Sequence, residues 1–511
     1  MHMTIARYLL LCLIVVIPGG NAWCGSVSRK PVQVCVLFFN DLHGHLTPFE
    51  IEKEGAHTEV GGIARMAALI RDIRSENTRN RVTTLVLVAG DILQGTPLST
   101  VFKGEPDIKC LNLIGVSAMT VGNHEFDFGI ENFLKLKKEA AFPFLSVNIM
   151  DEKKSRLLCD SHKTIPLEGR LSITVIGVTT PELKSTTRRE NVASLRLFDP
   201  VRSVKALHDY VKDRGPVILL SHSRHQTDRA IAESIPDLSA IIGGHDQILL
   251  SPYRLVNGVP VFQAFEKGRY LGRIDFSIDP ETKKARLIHH AYLPVTAAIV
   301  PDQKTDAIVH SYQERLGVQF KTVIGSSETF LDGERGRIRY EETNLGNFIT
   351  DIMVEHTGAA VGLLNAGAIR SSIKKGPVTV EDVFKAMPYE NELVLMDLTG
   401  GEIKTALERA VRGSREEEDG GFLHVSGIFA DVKDHRIDAI RMKDNKTPLD
   451  PNGVYRVVLP DFLASGGDGH GVFQNRPFQK TGLPLRELIV DTITERKKIS
   501  GGEEGRIRRL K

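Results

Sequence analysis

Ala118-Met119-Thr120-Val121-Gly122-Asn123-His124-Glu125-Phe126-Asp127 joins a short apolar run to a polar cluster. The run predicts a buried strand, which puts Asn123, His124 and Asp127 at its carboxyl end. Those side chains desolvate poorly and compete for backbone hydrogen bonds, so packing gives no reason for their presence. The same grammar recurs four more times along the chain. The run 34–39 ends in Asn40-Asp41-Leu42-His43-Gly44-His45, and the run 84–88 ends in Ala89-Gly90-Asp91. Further on, 217–220 ends in Ser221-His222, and 240–242 ends in Gly243-Gly244-His245-Asp246-Gln247.

Continuous apolar runs separated by helix-length segments predict strands of a largely parallel sheet buried on both faces. Ligands of such sheets gather beyond the carboxyl ends of the strands, so the five clusters can converge on one site. Asp, His, Asn and Gln without Cys form a hard to borderline donor set, with enough groups for two divalent ions sharing a carboxylate.

Asp-x-His, Gly-Asp, Gly-Asn-His-Glu, Ser-His and Gly-His-x-Gln, in this order, resemble the motifs of the calcineurin-like metallophosphoesterases. More narrowly, they resemble the two-domain 5′-nucleotidases, which include the bacterial UDP-sugar hydrolases and the animal ecto-5′-nucleotidase. The likeness runs from about Pro31 to near the C-terminus. It implies an α/β domain of layered sheets flanked by helices, followed by a smaller α+β domain. Position by position, it implies one metal site of Asp41, His43, Asp91 and Gln247, and a second of Asp91, Asn123, His222 and His245. Asp91 is the bridge, and zinc is the first expectation for the ions, with manganese, cobalt and magnesium as alternatives. Gln247 favours the nucleotidase branch; Asp246 stands where a small hydroxyl residue is usual.

Arg7 precedes the apolar stretch 8–17, and small residues follow to Ala22, the pattern of a cleaved signal peptide over 1–22. The chain is therefore expected to be exported, periplasmic or extracellular, with no stable membrane anchor after cleavage. At 511 residues, 41% hydrophobic and 25% charged, it has the composition of a globular protein of two or three domains. A formal net charge of +2 gives no field for nucleic acid or membranes. Cys24, Cys35, Cys110 and Cys159 follow the predicted leader without a Cys-x-x-Cys pair; the compartment permits a disulfide such as Cys110 to Cys159, but spacing does not imply one.

The metallophosphoesterase domain is expected over 31–295. Ile63, Met66, Ala67, Ile70 and Ile73 share one helical face, further strands are expected at 144–149, 171–178, 259–264 and 272–278, and the Lys-rich segment 150–165 reads as a surface excursion. A bridging helix is expected within 302–323, and the second domain over 324–511. There Leu345, Phe348, Ile349, Ile352 and Met353 mark a helix face, strands are expected at 360–364, 424–432, 437–442 and 455–459, and the acidic cluster 415–419 reads as an exposed turn.

Three segments of this region resemble the nucleoside-binding part of the same family: Asn365-Ala366-Gly367-Ala368-Ile369-Arg370, Pro388-Tyr389-Glu390-Asn391 and Asp461-Phe462-Leu463-Ala464-Ser465-Gly466-Gly467-Asp468-Gly469. The resemblance implies that Tyr389 and Phe462 sandwich a base, Asp468 holds ribose hydroxyls, Asn365 and Asn391 contact ribose or base, and Arg370 and Arg339 steady phosphate. Stacking platforms and guanidinium forks suit those tasks on chemical grounds alone. The expected activity is metal-assisted hydrolysis of a nucleoside 5′-monophosphate such as AMP, with His124 assisting the phosphoryl group or leaving oxygen and Asp127 orienting His124. A UDP-sugar hydrolase or a 2′,3′-cyclic-nucleotide phosphodiesterase/3′-nucleotidase is the alternative. A non-catalytic nucleoside-binding protein is the reading from a different class. His45 and His225 carry no motif support and are expected to be structural or surface residues.

Overall fold

The computed structural model of this chain describes residues 30–510 apart from 54, 55 and 445; the expected leader at 1–22 and Cys24 lie outside them. The strands that the apolar runs alone place in one sheet divide between two, each six-stranded, in agreement with the layered sheets that the resemblance implies. Val32–Phe39, Thr83–Val88, Ala118–Thr120 and Phe144–Leu145 run parallel on the first, and Tyr270–Ile278 and Ala285–Pro294 extend it antiparallel. Ser172–Thr179, Val217–His222, Ala240–Ile242 and Val259–Phe262 run parallel on the second.

Alternation along the strands explains the pairing of the sheets. Val34, Val36 and Phe38 point inward and pack with Ile218, Leu220 and Ile242 of the other sheet. Cys35, Leu37 and Phe39 point outward, where Ile63, Met66 and Ile70 of the helix Ile63–Arg79 cover them. Ile176, Val178, Leu219 and Ile241 meet the helices Pro200–Val211 and His225–Ser234 on the far side. The order is helix, sheet, sheet, helix, and both faces of every motif strand are dry. A one-sheet reading of the apolar runs fails because burial on two faces does not say whether a helix or another sheet provides the cover.

The segment 150–165 is more than an excursion. Leu158 and Cys159 are buried, and His162–Pro166 pairs antiparallel with Ser172–Thr179 at the sheet edge. The run 144–149 breaks after Leu145, and Ile149–Asp151 joins a separate three-stranded sheet. Cys35, Cys110 and Cys159 are free and buried, so the permitted Cys110–Cys159 bridge is not formed.

The helix Gln303–Leu316 starts at an N-cap, Asp302, whose side chain accepts from the Thr305 N–H. Val309 and Tyr312 belong to the same apolar cluster as Ile63 and Met66, so this helix is docked on the first group of layers. The chain then enters a five-stranded sheet in the order Leu423–Ser426, Val361–Asn365, Val454–Pro460, Glu392–Thr399, Gln479–Pro484. The helices Asn344–Thr357, Gly400–Ala410 and Leu485–Arg496 supply buried residues to its core. The expected strand 424–432 splits at Gly427, whose φ of 81° turns the chain beside the Ala360 carbonyl and sends Ile428–Lys433 into another sheet. The acidic turn 415–419 is exposed only in part: Glu418 pairs with Arg335 (2.5 Å) and Asp419 with Arg409 (2.6 Å).

Candidate active site

Each polar cluster lies where its strand ends, and in three of the five the backbone turns through the left-handed region. Asp41, His43, Asp91, His245 and Gln247 have φ of 49°, 47°, 52°, 74° and 59°. The left-handed region costs an L residue roughly 1–2 kcal/mol. Five such residues around one point are strain held by the surrounding structure, a common mark of a functional site. Glu125 provides part of the hold, accepting from the backbone N–H of Asp91 (3.0 Å), Ile92 (2.9 Å) and Gly122 (2.7 Å). Gly122 is needed for close approach, since a Cβ there would stand 2.2 Å from Asp91 Oδ1.

His222 Nδ1 donates to the Ala89 carbonyl (2.7 Å), leaving Nε2 to face Asp91 Oδ2 at 3.0 Å. His245 Nδ1 lies 3.2 Å from the same nitrogen. The Gln247 amide and His43 Nε2 are 2.7 Å apart, and Asp41 Oδ1 is 3.8 Å from His43 Nε2. Donor atoms of His43, Asp91 and His124 lie within 4.8 Å of one another, as do those of Asp91, His222 and His245. Asp91 is common to both groups.

Asn123 Oδ1 is buried with no hydrogen-bond partner among the described residues. Such an orphan costs about 1–3 kcal/mol, a penalty that a bound cation removes. Burial, reinforced by the Asp91 carboxylate, pushes Asp41 up to about 7, a direction that a divalent ion reverses. With imidazole, carboxylate and amide donors and no thiolate, the residues fit a pair of divalent cations.

His124 stands against this cluster with its ring edge-on to His43. Nδ1 donates to Asp127 Oδ2 at 2.6 Å, and Nε2 lies 3.9 Å from Asp91 Oδ2. Burial works against a charge on the ring, but the carboxylates of Asp127 and Asp91 outweigh it and raise the pKa.

The C-terminal elements close over these residues and leave a cavity of about 330 Å³, at the lower end of the roughly 300–1,000 Å³ typical of small-molecule sites. Arg370 Nη2 is 3.2 Å from His43 Nε2, and Arg335 Nη1 donates to Gln247 Oε1 at 2.6 Å. Arg339 donates through Nη1 to the Glu418 carbonyl (2.9 Å), but its buried Nε has no partner among the described residues. Burial first, and then the nearby Arg335 and Arg370, press its pKa well below the usual arginine value. Arg337 turns away to Asp332, Glu341 and Glu503.

Tyr389 lies nearly parallel to the His124 ring, with centroids 6.0 Å apart. Phe462 lines the same cavity and rests on Gly467, where a Cβ would meet the ring at 2.4 Å. Asn365 Nδ2 donates to Asp468 Oδ2 (2.7 Å), and Asn365 Oδ1 is another buried orphan among the described residues. Asn391 Oδ1 accepts from Arg188 at 3.4 Å; Arg188 also reaches the Glu390 carbonyl and Asp461.

Arg188 and Gln94, which donates to the Pro388 carbonyl at 2.9 Å, carry no sequence motif, and Arg335 stands in sequence only as a neighbour that could be mistaken for Arg339. Each acts on a residue remote in sequence. His45 bonds the His43 carbonyl and His225 bonds Asp246, and neither lines the cavity.

The layered sheets with candidate metal donors at their strand ends define the class, and the calcineurin-like phosphoesterase family model matches residues 36–248. The model for the 5′-nucleotidase C-terminal domain matches residues 323–475. The structure of a 5′-nucleotidase precursor from Thermus thermophilus superposes with a TM-score of 0.84 at 31% identity, covering 94% of this chain and 99% of that one. Protein UshA of Salmonella pullorum is 28% identical, covering 91% of this chain and 92% of its own length; a 5′-nucleotidase of Vibrio cholerae serotype O1 is also 28% identical, covering 91% of each. The chain belongs to the 5′-nucleotidase family of metal-dependent phosphoric-ester hydrolases.

Proposed function

We propose that this chain is an exported 5′-nucleotidase that hydrolyses nucleoside 5′-monophosphates such as AMP to nucleoside and phosphate. A metallophosphoesterase domain at 31–295 presents the metal donors, a bridging helix lies within 302–323, and a nucleotide-binding domain at 324–511 presents the substrate groups. One observation carries the reading: Asp91, Asn123, His245 and Gln247 of the donor cluster, Arg335, Arg339 and Arg370, and the rings of Tyr389 and Phe462 border a single cavity. Three crowded guanidiniums, one with a buried N–H that has no partner among the described residues, call for a multiply charged anion, and two aromatic faces suit a base.

Asp41, His43, Asp91 and Gln247 would hold one cation, and Asp91, Asn123, His222 and His245 the other, with zinc the first choice. Bound there, divalent ions supply Lewis acidity toward the phosphoryl oxygens and acidify water. The arginines bind and orient the phosphoryl group. His124, kept protonated by Asp127 at Nδ1, turns Nε2 toward the reaction centre, where it stabilises developing charge or protonates the leaving oxygen. Asp468, Asn365 and Asn391 orient the sugar and base, and closure of the C-terminal elements excludes water.

Removing a stacking ring should cost about 1–3 kcal/mol of binding, or roughly 5- to 150-fold in kcat/KM for AMP. Phe462→Ala is the cleaner variant, because Tyr389 also rests on His124. Phosphate release should fall selectively for AMP while glycerol phosphate, which has no base, is turned over nearly as before. Equal losses on both substrates, or none, would remove the base platform from the proposal.

A further inference from the structure

The sheet that bears His222 and His245 has a further strand end beside the site. Ser172–Thr179 lies parallel to Val217–His222, and three residues past its carboxyl end stands Glu182. His245 presents its two ring nitrogens to different neighbours: Nδ1 lies 3.2 Å from His222 Nε2, within the donor cluster, and Nε2 lies 3.7 Å from Glu182 Oε2. A neutral imidazole carries one N–H and one lone pair, so a proton held on Nε2 by a carboxylate leaves the lone pair on Nδ1.

Glu182 is itself braced. Arg224 Nε donates to Glu182 Oε2 at 2.7 Å, and Arg224 Nη1 is 3.9 Å from Asp246 Oδ1. Asp246 Oδ2 accepts from the backbone N–H of His225 (2.6 Å) and lies 3.0 Å from its Nδ1. The chain of contacts thus runs from His245 through Glu182 and Arg224 back to Asp246, the residue next to His245. It gives Asp246, unusual at its motif position, a structural task. His222 needs no such brace, because the Ala89 carbonyl already takes its Nδ1 proton.

We propose that Glu182 is a positioning residue for the cation site of Asp91, Asn123, His222 and His245, fixing the His245 ring so that Nδ1 is the ligating nitrogen. The inference rests on the two-cation reading of the site. Carboxylates behind ligating histidines typically contribute 10- to 100-fold to metal affinity. The Glu182 side chain is 39% exposed, so replacing it opens no core cavity.

The test is a Zn²⁺ titration of the metal-stripped parent, Glu182→Ala and Glu182→Gln against a competing chelator. Thermal unfolding of the metal-free forms serves as the control for folding. The parent should bind two ions. Glu182→Ala should bind one as the parent does and the other about 10- to 100-fold more weakly, with metal-free unfolding unchanged. Glu182→Gln, whose amide oxygen can stand in the place of Oε2 facing Nε2, should recover most of that loss. Parental affinity at both sites in Glu182→Ala, or equal weakening of both, overturns the role of Glu182 alone. A parent that binds fewer than two ions overturns the pair of cations, and this inference with it.

Discussion

Asp91→Ala should release no measurable phosphate from AMP and should lose most of its bound metal. Asp91 is the only residue common to both donor groups, and its oxygens face His222 Nε2 (3.0 Å) and the His124 backbone N–H (2.9 Å). Burial works against ionisation, yet His222 and His124 hold the carboxylate well below its usual range, so it is anionic before any cation arrives. In the proposed scheme, removing that charge takes one ligand from each ion and leaves His222 and His245 facing each other without a counter-charge. A loss of about 10⁴-fold or more, some 5 kcal/mol of transition-state stabilisation, is expected, and chelation of the parent should reproduce it. Phosphate assays beside elemental analysis of the same samples decide the point. An Asp91→Ala variant with parental metal content and activity would remove the shared carboxylate from the mechanism.

His124→Ala separates the chemistry from the metals. In the proposed scheme the ring supplies a proton or a positive edge and binds neither cation, so both ions should remain while kcat falls about 10²- to 10⁴-fold. Asp127→Asn should follow in the same direction with a smaller loss, because the 2.6 Å contact to Nδ1 orients the ring and sustains its charge. Loss of metal in His124→Ala would instead make the residue a ligand, as its distance of 3.9 Å from Asp91 Oδ2 allows. Steady-state kinetics with metal content measured in parallel distinguishes the two.

The candidate site was legible in the sequence where chemistry breaks a pattern. Polar residues at the ends of dry strands have no packing reason to be there, and all five clusters come together in space because their strands are parallel within each sheet. The partition into two sheets was legible only through the family resemblance, since Val36 and Leu37 are equally apolar and the apolar runs do not say that one meets a sheet and the other a helix. Contacts made at a distance were also hidden. Glu125 clamps a loop more than thirty positions away, and Arg335 reaches Gln247 across 88 residues. Glu418 and Asp419 looked like solvated charge because their arginine partners come from other elements.

The central claim is that metal donors from one part of the chain and a base platform from the other act on one nucleotide. Its most direct test is phosphate release by the metal-loaded parent across AMP, UDP-glucose, a 2′,3′-cyclic nucleotide and glycerol phosphate, before and after chelation. AMP should have the highest kcat/KM, roughly 5- to 150-fold or more above glycerol phosphate from stacking alone, and every activity should vanish with the metal. Equal rates on AMP and glycerol phosphate, or AMP hydrolysis that survives complete removal of metal, would contradict the account.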